Sequence, residues 1–276
     1  MRTHDTLQLA WLRALFATPL VDQTLAPHFD PPTLAIDRHR RARLVQRAIE
    51  ALPVTSALAL VSGSTWAQLE AFIDSRHFDE VLGRRAALTP AFASYVLELA
   101  SSPLHEAITA VELAVQGISR RWHPRQPLDS GTHLRLSRSR VVFVANPTVN
   151  DTYWALRERV HRLGESELLA ALLALPETPE AELFADALKI PLKSPPPVEP
   201  VSYLFTLSQQ GASSESLNED LSALLHRLEG ETGVSEVRAF LNALGLDAAE
   251  TDELLVSLVQ DGLIEYVVRE SGTRQL

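Results

Sequence analysis

The sequence predicts an α+β fold that is mostly α, in which an N-terminal helical bundle precedes a winged helix-turn-helix domain. Three observations predict this fold class. Apolar residues recur at helical spacing through the first half of the chain. A run rich in β-branched residues, Val141 to Val144, indicates strands after Trp122. From Ser213 onward the pattern is helix, helix, helix and strand, as in a winged helix.

The helical bundle is predicted from amphipathic segments that proline and glycine separate. The first covers Leu7 to Phe16, and the prolines between Thr24 and Pro32 indicate an extended segment after it. Asp37 is expected to cap a helix that ends near Leu52. The remaining predicted helices cover Val54–Val61 with Gly63 as a C-terminal cap, begin at Ser64, and follow Pro90 and Pro103.

The second half is predicted to combine strands with helices around one linker. Prolines crowd the segment 191–200 and favour a stiff, extended connection. The predicted strands are Leu134–Leu136, Val141–Val144, Val201–Ser208 and Leu263–Val268. The predicted helices are Thr152–Leu163, Glu165–Leu175 and three apolar stripes over Leu217–Leu228, Val237–Leu244 and Leu254–Val259.

Length and composition place these elements in two domains. The 276 residues are 46% hydrophobic, which is enough for two ordinary cores. We place the boundary after Trp122, so that 1–122 forms the helical bundle and 123–276 the α/β winged-helix domain. No apolar run reaches the roughly 18 residues that span a bilayer, and Met1 to Thr6 lacks a signal-peptide core. We therefore expect a cytoplasmic protein without a membrane partner.

Several kinds of chemistry are disfavoured by the residues themselves. The chain has no cysteine, so it has no disulfide, thiolate ligand or cysteine nucleophile. Its nine histidines never lie three or four residues apart on a helix, which argues against a metal site. Glu106 and Glu112 lie too far apart on one helix to act as an acid and base pair, so we interpret them as solvated or capping carboxylates. We predict no catalytic residue and no metal ligand in this chain.

The predicted C-terminal domain is strongly acidic. Between Val201 and Gly262 there are eleven acidic residues and only two arginines, Arg227 and Arg238. The last helix would present Asp247 and Glu250 to DNA phosphates and would repel them. With a net charge of −10 for the whole chain, we expect no nucleic-acid partner.

An extended peptide is the ligand that such a domain could still accept. The strand Val201–Ser208 alternates, with Val201, Tyr203, Phe205 and Leu207 on the face that we expect to meet the core. Its edge could receive a peptide as an added strand beside the third helix. A purely structural strand is an equally good interpretation at this stage.

A basic stripe on the helix after Asp37 is the only dense positive feature. Its arginines are Arg38, Arg40, Arg41, Arg43 and Arg47. The stripe is either a solvated helix face or a docking surface for an acidic partner.

The order of these features resembles one protein family. The resemblance is carried by Arg38, Ala48, Leu52, Pro53, Val54, Gly63, Trp66, Leu69, Phe72, Leu88, Phe92, Tyr95, Leu97, Val111 and Glu112, and by the stretch from Leu134 to Trp154, which reads LRLSRSRVVFVANPTVNDTYW. The pattern is similar to that of the HvfC/BufC proteins over nearly the whole chain. It departs from the family at His39 and Arg40, where relatives often carry asparagine.

The resemblance implies a helper protein rather than an enzyme. Such helpers are partners of multinuclear non-haem iron-dependent oxidative enzymes (MNIO), which modify ribosomally made peptides (RiPPs), often at cysteine. The closest likeness is to the helper of the 3-thiaglutamate pathway. The iron would reside in the partner enzyme, with no cofactor in this chain, and the two proteins would form a heterodimer.

The resemblance also suggests which residues make contacts. A winged helix like a RiPP recognition element would bind the leader peptide through Val201, Ser202, Tyr203, Leu204, Phe205, Thr206, Leu207 and Ser208, and through Glu250, Glu253, Leu254 and Ser257 of the third helix. The enzyme would contact Arg38, Arg41 and Arg43. The alternatives are a winged-helix transcriptional regulator, which the topology alone supports, and a stand-alone hydrolase or metalloenzyme, which the histidine spacing disfavours.

Overall fold

The computed structural model describes residues 31–100, 102–121, 131–164, 198–208 and 211–267. It is α+β and mostly helical, as predicted. The described residues divide into two compact units. The first holds 31–100, 102–113 and 148–164, and the second holds 114–121, 131–147, 198–208 and 211–267. Each unit is therefore built from separate stretches of the chain, whereas the predicted boundary after Trp122 divides the chain once.

The first unit is made of helices only. It includes a 3₁₀ helix over Ala71–Asp74. The helices are α1 (Pro31–Ala51), α2 (Pro53–Val61), α3 (Trp66–Glu70), α4 (Arg76–Leu82), α5 (Leu88–Leu99), α6 (Pro103–Arg121) and α7 (Pro147–Leu163), of which α6 continues into the second unit.

Capping residues explain where several of these helices begin and end. The side chain of Thr65 accepts a hydrogen bond from the Gln68 amide, and the Gln68 side-chain oxygen accepts one from the Thr65 amide, so α3 starts with a capping box. The side chain of Ser75 caps α4 by accepting a hydrogen bond from the Phe78 amide. The helix that the sequence predicted from Ser64 therefore begins at Trp66 and gives way to the 3₁₀ helix at Ala71. Gly63, with φ at +89°, ends α2 as predicted.

The start of α1 differs from the prediction. The helix begins at Pro31 and not after Asp37, which lies inside it. Proline is tolerated in the first helical turn because the amide that it lacks has no partner there. Pro31 and Pro32 therefore start this helix instead of preventing it.

The core of the first unit is aromatic at its centre. Phe72 is fully buried and makes edge contacts with Phe78 and Phe92, with ring centroids 5.5 and 5.2 Å apart. The hydroxyl of Tyr95 donates to the Gln68 carbonyl at 2.6 Å, which satisfies the polar end of a buried ring. This cluster holds α3, α4 and α5 together.

The second unit combines two antiparallel sheets with three helices. Its strands are β1 (His133–Leu136), β2 (Arg140–Ala145), β3 (Val201–Ser208), β4 (Gly211–Ser216), β5 (Thr232–Gly233) and β6 (Ile264–Val267). One sheet has the order β5-β1-β6 and the other β2-β3-β4. The helices are α8 (Glu219–Arg227), α9 (Val234–Ala243) and α10 (Ala248–Gln260).

The three helices enclose one apolar core with both sheets. Arg135 of β1 forms an ion pair with Glu265 of β6 at 2.6 Å beside that core. The buried core residues are Leu134, Leu136, Val142, Leu204, Leu224, Leu225, Leu228, Val237, Leu241, Leu255, Leu258 and Ile264. The predicted apolar stripes supply most of them, so the helical periodicity of this half is confirmed.

Two strands were missed by the sequence prediction, the short β5 and β4. The segment from Ser213 was expected to start the first of the three helices, but Gly211–Ser216 forms β4 and α8 begins only at Glu219. The side chain of Asn218 caps α8 through the Leu221 amide. The predicted helices Leu7–Phe16 and Glu165–Leu175, and the linker residues 191–197, lie outside the described residues.

Within the described residues no single helix has both the length and the apolar character needed to cross a membrane. The segments Arg41–Ala51 and Pro53–Val61 meet that criterion only together, across a bend of 100°.

Candidate functional site

The strand that the sequence predicted as a peptide-docking edge lies in the middle of its sheet. Residues Val201 to Thr206 of β3 pair with β2, and residues Tyr203 to Ser208 pair with β4. A peptide cannot add to β3 unless one of these neighbours leaves. The prediction that β3 offers an open edge is therefore wrong, because the strand that flanks it, β4, was not recognised.

The hydrogen bonds of β3 alternate between its two neighbours. The Leu207 amide donates to the Ser139 carbonyl beside β2, at 2.8 Å. The Ser202 carbonyl accepts from the Leu217 amide beside β4, also at 2.8 Å. In an antiparallel ladder this pattern alternates along the strand, so odd-numbered residues of β3 bond β2 and even-numbered residues bond β4.

Both faces of β3 are buried. Leu204 joins the core of the three helices, and it belongs to the face that we had assigned to the outside. Tyr203 and Phe205 are buried on the opposite face, where Phe205 stacks with Phe143 at a centroid distance of 5.9 Å. The alternation in the sequence thus separates the two faces correctly. The face that packs against the three helices, however, is that of Leu204 and not the predicted face of Tyr203 and Phe205.

The predicted contact residues of α10 have different surroundings. Glu250 accepts a hydrogen bond from the Asp247 amide at 2.9 Å and completes a capping box, so it stabilises the helix start. Leu254 is half-buried against the core of the unit. Glu253 and Ser257 are exposed, and Val256 beside them is 51% exposed. Of the predicted set on this helix, Glu250, Glu253 and Ser257 are exposed and Leu254 is not.

Only some of the arginines in the predicted basic docking surface on α1 are exposed. Arg41 is only 2% exposed, and its guanidinium bonds the Asp74 carboxylate at 2.8 Å. Its Nε and Nη1 atoms have no hydrogen-bond partner among the described residues. Arg41 is therefore a buried ion-pair residue and not a docking residue. Arg43 is exposed, as is Arg47, while the side chain of Arg38 lies outside the described residues.

A buried polar stripe on α6 was not predicted as a unit. His105, Thr109 and Glu112 follow one another at spacings of four and three residues, so they lie on one face of the helix. All three face Thr55 in the first turn of α2. Glu112 accepts from the amides of Val54 and Thr55 at 2.8 and 2.7 Å. Thr109 and Thr55 share a hydrogen bond between their hydroxyls at 3.2 Å.

His105 completes this stripe with two backbone carbonyls. Its Nδ1 lies 2.6 Å from the Ala100 carbonyl, and its Nε2 lies 3.3 Å from the Thr55 carbonyl. Burial lowers the pKa of His105, although the two carbonyls act in the opposite direction. We therefore assign a neutral ring that donates from Nδ1, the nitrogen with the shorter contact.

The carboxyl of Glu112 is buried as deeply as the apolar residues around it. Burial raises its pKa, against the opposing effect of the hydrogen bonds from Thr55 and Val54 and of the Arg157 charge. Burial also raises the pKa of the Tyr153 hydroxyl, which accepts a hydrogen bond from Arg157 at 2.9 Å. These groups satisfy one another inside the first unit, and the role that they support is to hold α2, α6 and α7 in register.

No group of three or more histidine, aspartate or glutamate side chains within the described residues could hold a metal ion. No protein-family model matches the sequence, and neither does any curated protein.

Proposed function

We propose that this chain is a non-catalytic partner subunit of an iron-dependent peptide-modifying enzyme of the MNIO class. In this proposal the second unit recruits a ribosomally made precursor peptide, and the enzyme oxidises a cysteine of that peptide, as in 3-thiaglutamate formation. The iron and the catalytic residues belong to the enzyme, and both proteins act in the cytoplasm. The observation that carries the proposal has two parts, both in the second unit. The unit is acidic, and its β2-β3-β4 sheet has outer strands to which a peptide could add.

The layout of the second unit supports its interpretation as a winged helix. Three consecutive helices, α8 to α10, are followed by β6, which pairs with β1. In a winged helix a short strand follows the first helix and a hairpin wing follows the third; β5 lies between α8 and α9 and β6 follows α10, in that order. A peptide-binding version of this fold needs a backbone edge beside it, and a three-stranded sheet supplies outer strands.

The charge of the unit favours a polypeptide ligand over DNA. Residues 211–267 contain twelve acidic residues and only two arginines. On α10, the first-turn residue Glu250 is followed by Asp252 and Glu253, which are both exposed. Phosphates would be repelled by this helix, whereas basic peptide side chains would be attracted.

Because β3 is paired on both sides, we assign peptide docking to an outer strand of the sheet instead. Changing Thr206 to proline, which would test β3 as a free edge, instead removes an amide that bonds β4, since even-numbered residues of β3 point there. The loss of binding in that variant would report a damaged sheet. A valid test must change an outward-pointing amide of β2 or β4.

Co-expression tests the proposal as a whole. The chain is produced with the iron enzyme and the precursor peptide encoded beside it, and the products are purified through a tag on this chain. We expect an iron-bearing heterodimer, and oxidation of the peptide only when both proteins are present. Full oxidation without this chain, together with no co-purification of the enzyme, would refute the proposal.

A transcriptional regulator is the second candidate, and the winged-helix layout is the observation that favours it. Its test is a titration with genomic duplex fragments at several salt concentrations. Tight, sequence-selective binding with a steep salt dependence would favour regulation and would contradict the charge argument.

A further inference from the structure

The β2-β3-β4 sheet has two outer strands, and they differ in how well they are protected. The edge strand β4 reads GASSES, with small and polar side chains and one charge. The edge strand β2 reads RVVFVA, with high β-propensity and no charge beyond Arg140. Natural sheets blunt their edges with charges, prolines or bulges. Each of the two strands carries one charge and neither contains proline, but β2 is apolar and rich in β-branched residues, so it is the edge more prone to pair with another strand.

The backbone of β2 points outward at three residues, of which Arg140 already donates its amide to the Ser137 carbonyl at 3.0 Å. Ser139 bonds Leu207 of β3, so the alternation makes Val141, Phe143 and Ala145 the residues that bond β3. The amides and carbonyls of Val142 and Val144 therefore point away from the sheet. Neither residue has a backbone hydrogen bond on that side to any described residue.

Val144 is the accessible part of this edge. Its side chain is 49% exposed, whereas Val142 is 5% exposed and belongs to the core. An extended segment that pairs with Val144 would both satisfy its backbone groups and cover an exposed apolar side chain.

The acidic residues near Val144 determine which kind of strand could pair with it. Val144 lies opposite Ser202 in the ladder, and the Ser202 hydroxyl bonds that of Ser222 in α8 at 2.8 Å. Glu219 and Asp220 lie in the first turn of α8, just before Ser222, and their carboxylates are exposed. A second copy of this chain, with its net charge of −10, is repelled by such a surface. A positively charged strand is attracted.

We propose that the outer edge of β2 at Val144 binds an extended, basic segment of the precursor peptide as a fourth strand of the sheet. This inference rests on the proposed function and specifies its peptide-binding edge.

Two proline variants test the edge without breaking the ladders inside the sheet. The amide of Val144 points away from β3, and so does that of Ala212 on β4, because its neighbours Gly211 and Ser213 are the residues that bond β3. Val144→Pro thus blocks the β2 edge, and Ala212→Pro is the matched control on the β4 edge. Circular dichroism and thermal melting of the full chain verify that both variants fold.

The probes are a labelled peptide of alternating lysine and valine, its glutamate counterpart, and the precursor peptide encoded beside the chain. We expect the wild-type chain to bind the basic probe, and Val144→Pro to bind it about tenfold more weakly, as expected for the loss of one ladder bond and of apolar contact. Ala212→Pro should bind as the wild type does. Val144→Lys, which leaves the backbone intact, should also weaken binding by repulsion.

Three results would overturn the inference. These are no binding of the basic probe or the precursor by the wild-type chain, equal binding by Val144→Pro, and a loss confined to Ala212→Pro, which would move the site to β4. A dimer in light scattering that Val144→Pro dissolves would assign the edge to a second copy and also overturn it. The co-expression assay reports separately on the proposed function, since the iron enzyme can co-purify whichever edge the peptide uses.

Discussion

At the scale of single residues, Glu112 shows how a buried carboxylate can act as a structural element. It supplies the N-terminal cap that α2 lacks in its own sequence, since Leu52 precedes Pro53 and offers no side-chain oxygen. From the sequence we interpreted Glu112 as a solvated or capping carboxylate, and of these it is the buried, capping one. It could not indicate which helix is capped, because the partners are 57 and 58 residues away.

Removing this carboxylate should destabilise the first unit. In Glu112→Ala two buried amides lose their acceptor, so we expect the free energy of unfolding to fall by about 3 kcal/mol. Urea unfolding followed by circular dichroism measures the change. Glu106→Ala, on an exposed position of the same helix, should change it by less than about 0.5 kcal/mol. Equal effects of the two substitutions would contradict the capping role.

His105 should make stability dependent on pH. Its pKa in the folded chain lies below the ordinary value of 6.5, so the unfolded chain binds the proton more readily than the folded chain does. Acidification therefore stabilises the unfolded state relative to the folded one. The free energy of unfolding should therefore decrease as pH falls below 6.5. Glu112 acts with the opposite sign, because its pKa is raised and its ionisation at higher pH is unfavourable in the fold.

A substitution separates these two contributions. His105→Gln keeps a side-chain donor and cannot titrate, so its stability should lose the decrease on acidification that the wild-type chain shows. Unfolding free energies of both proteins at several pH values between neutrality and mild acidity measure the difference in slope. Identical slopes would show that His105 does not remain neutral in the fold.

At the scale of elements, sequence patterns predicted most helices and the bounds of β3 because apolar periodicity and proline positions are local signals. They missed β4, whose Gly-Ala-Ser-Ser-Glu-Ser sequence has no apolar alternation. This strand forms because its backbone pairs with β3 from Tyr203 to Ser208. Pairing between strands is a tertiary property, and the central position of β3 was equally absent from the local pattern.

Gly131 should be required for the β5-β1-β6 sheet. A Cβ atom at this position would lie 2.8 Å from the Val267 carbonyl oxygen of β6, closer than such atoms approach. We expect Gly131→Ala to lower the melting temperature and to accelerate amide exchange in β1 and β6. Gly117→Ala is the control in α6, where nothing lies within 4 Å. It should instead stabilise the chain by about 0.5 to 1 kcal/mol through helix propensity.

At the scale of the whole molecule, charge is divided between surfaces. Among the described residues, α1 exposes Arg43 and Arg47 one turn apart, whereas α10 and the first turn of α8 are acidic. The sequence predicted this contrast correctly, because charge is read directly from residue types. It could not predict that Arg41 is buried with Asp74, because that ion pair joins residues 33 positions apart.

The exposed arginines of α1 should contribute to binding of the iron enzyme. Changing both Arg43 and Arg47 to glutamate should weaken the heterodimer about tenfold and make the remaining affinity less sensitive to salt. Calorimetry with the purified enzyme measures the affinity. The matched control changes Arg84 and Arg85, which are also exposed, to glutamate and alters the net charge equally. A similar loss in both variants would indicate a general charge effect.

The second unit is assembled from strands that the ribosome makes at well-separated times. β2 is synthesised before residues 148–196, and its neighbour β3 is synthesised only after them. During that interval the apolar strand Arg140–Ala145 lacks its partner β3, and nascent chains with unpaired apolar strands aggregate or recruit chaperones. Slow codons placed in this interval should therefore lower the yield of folded protein.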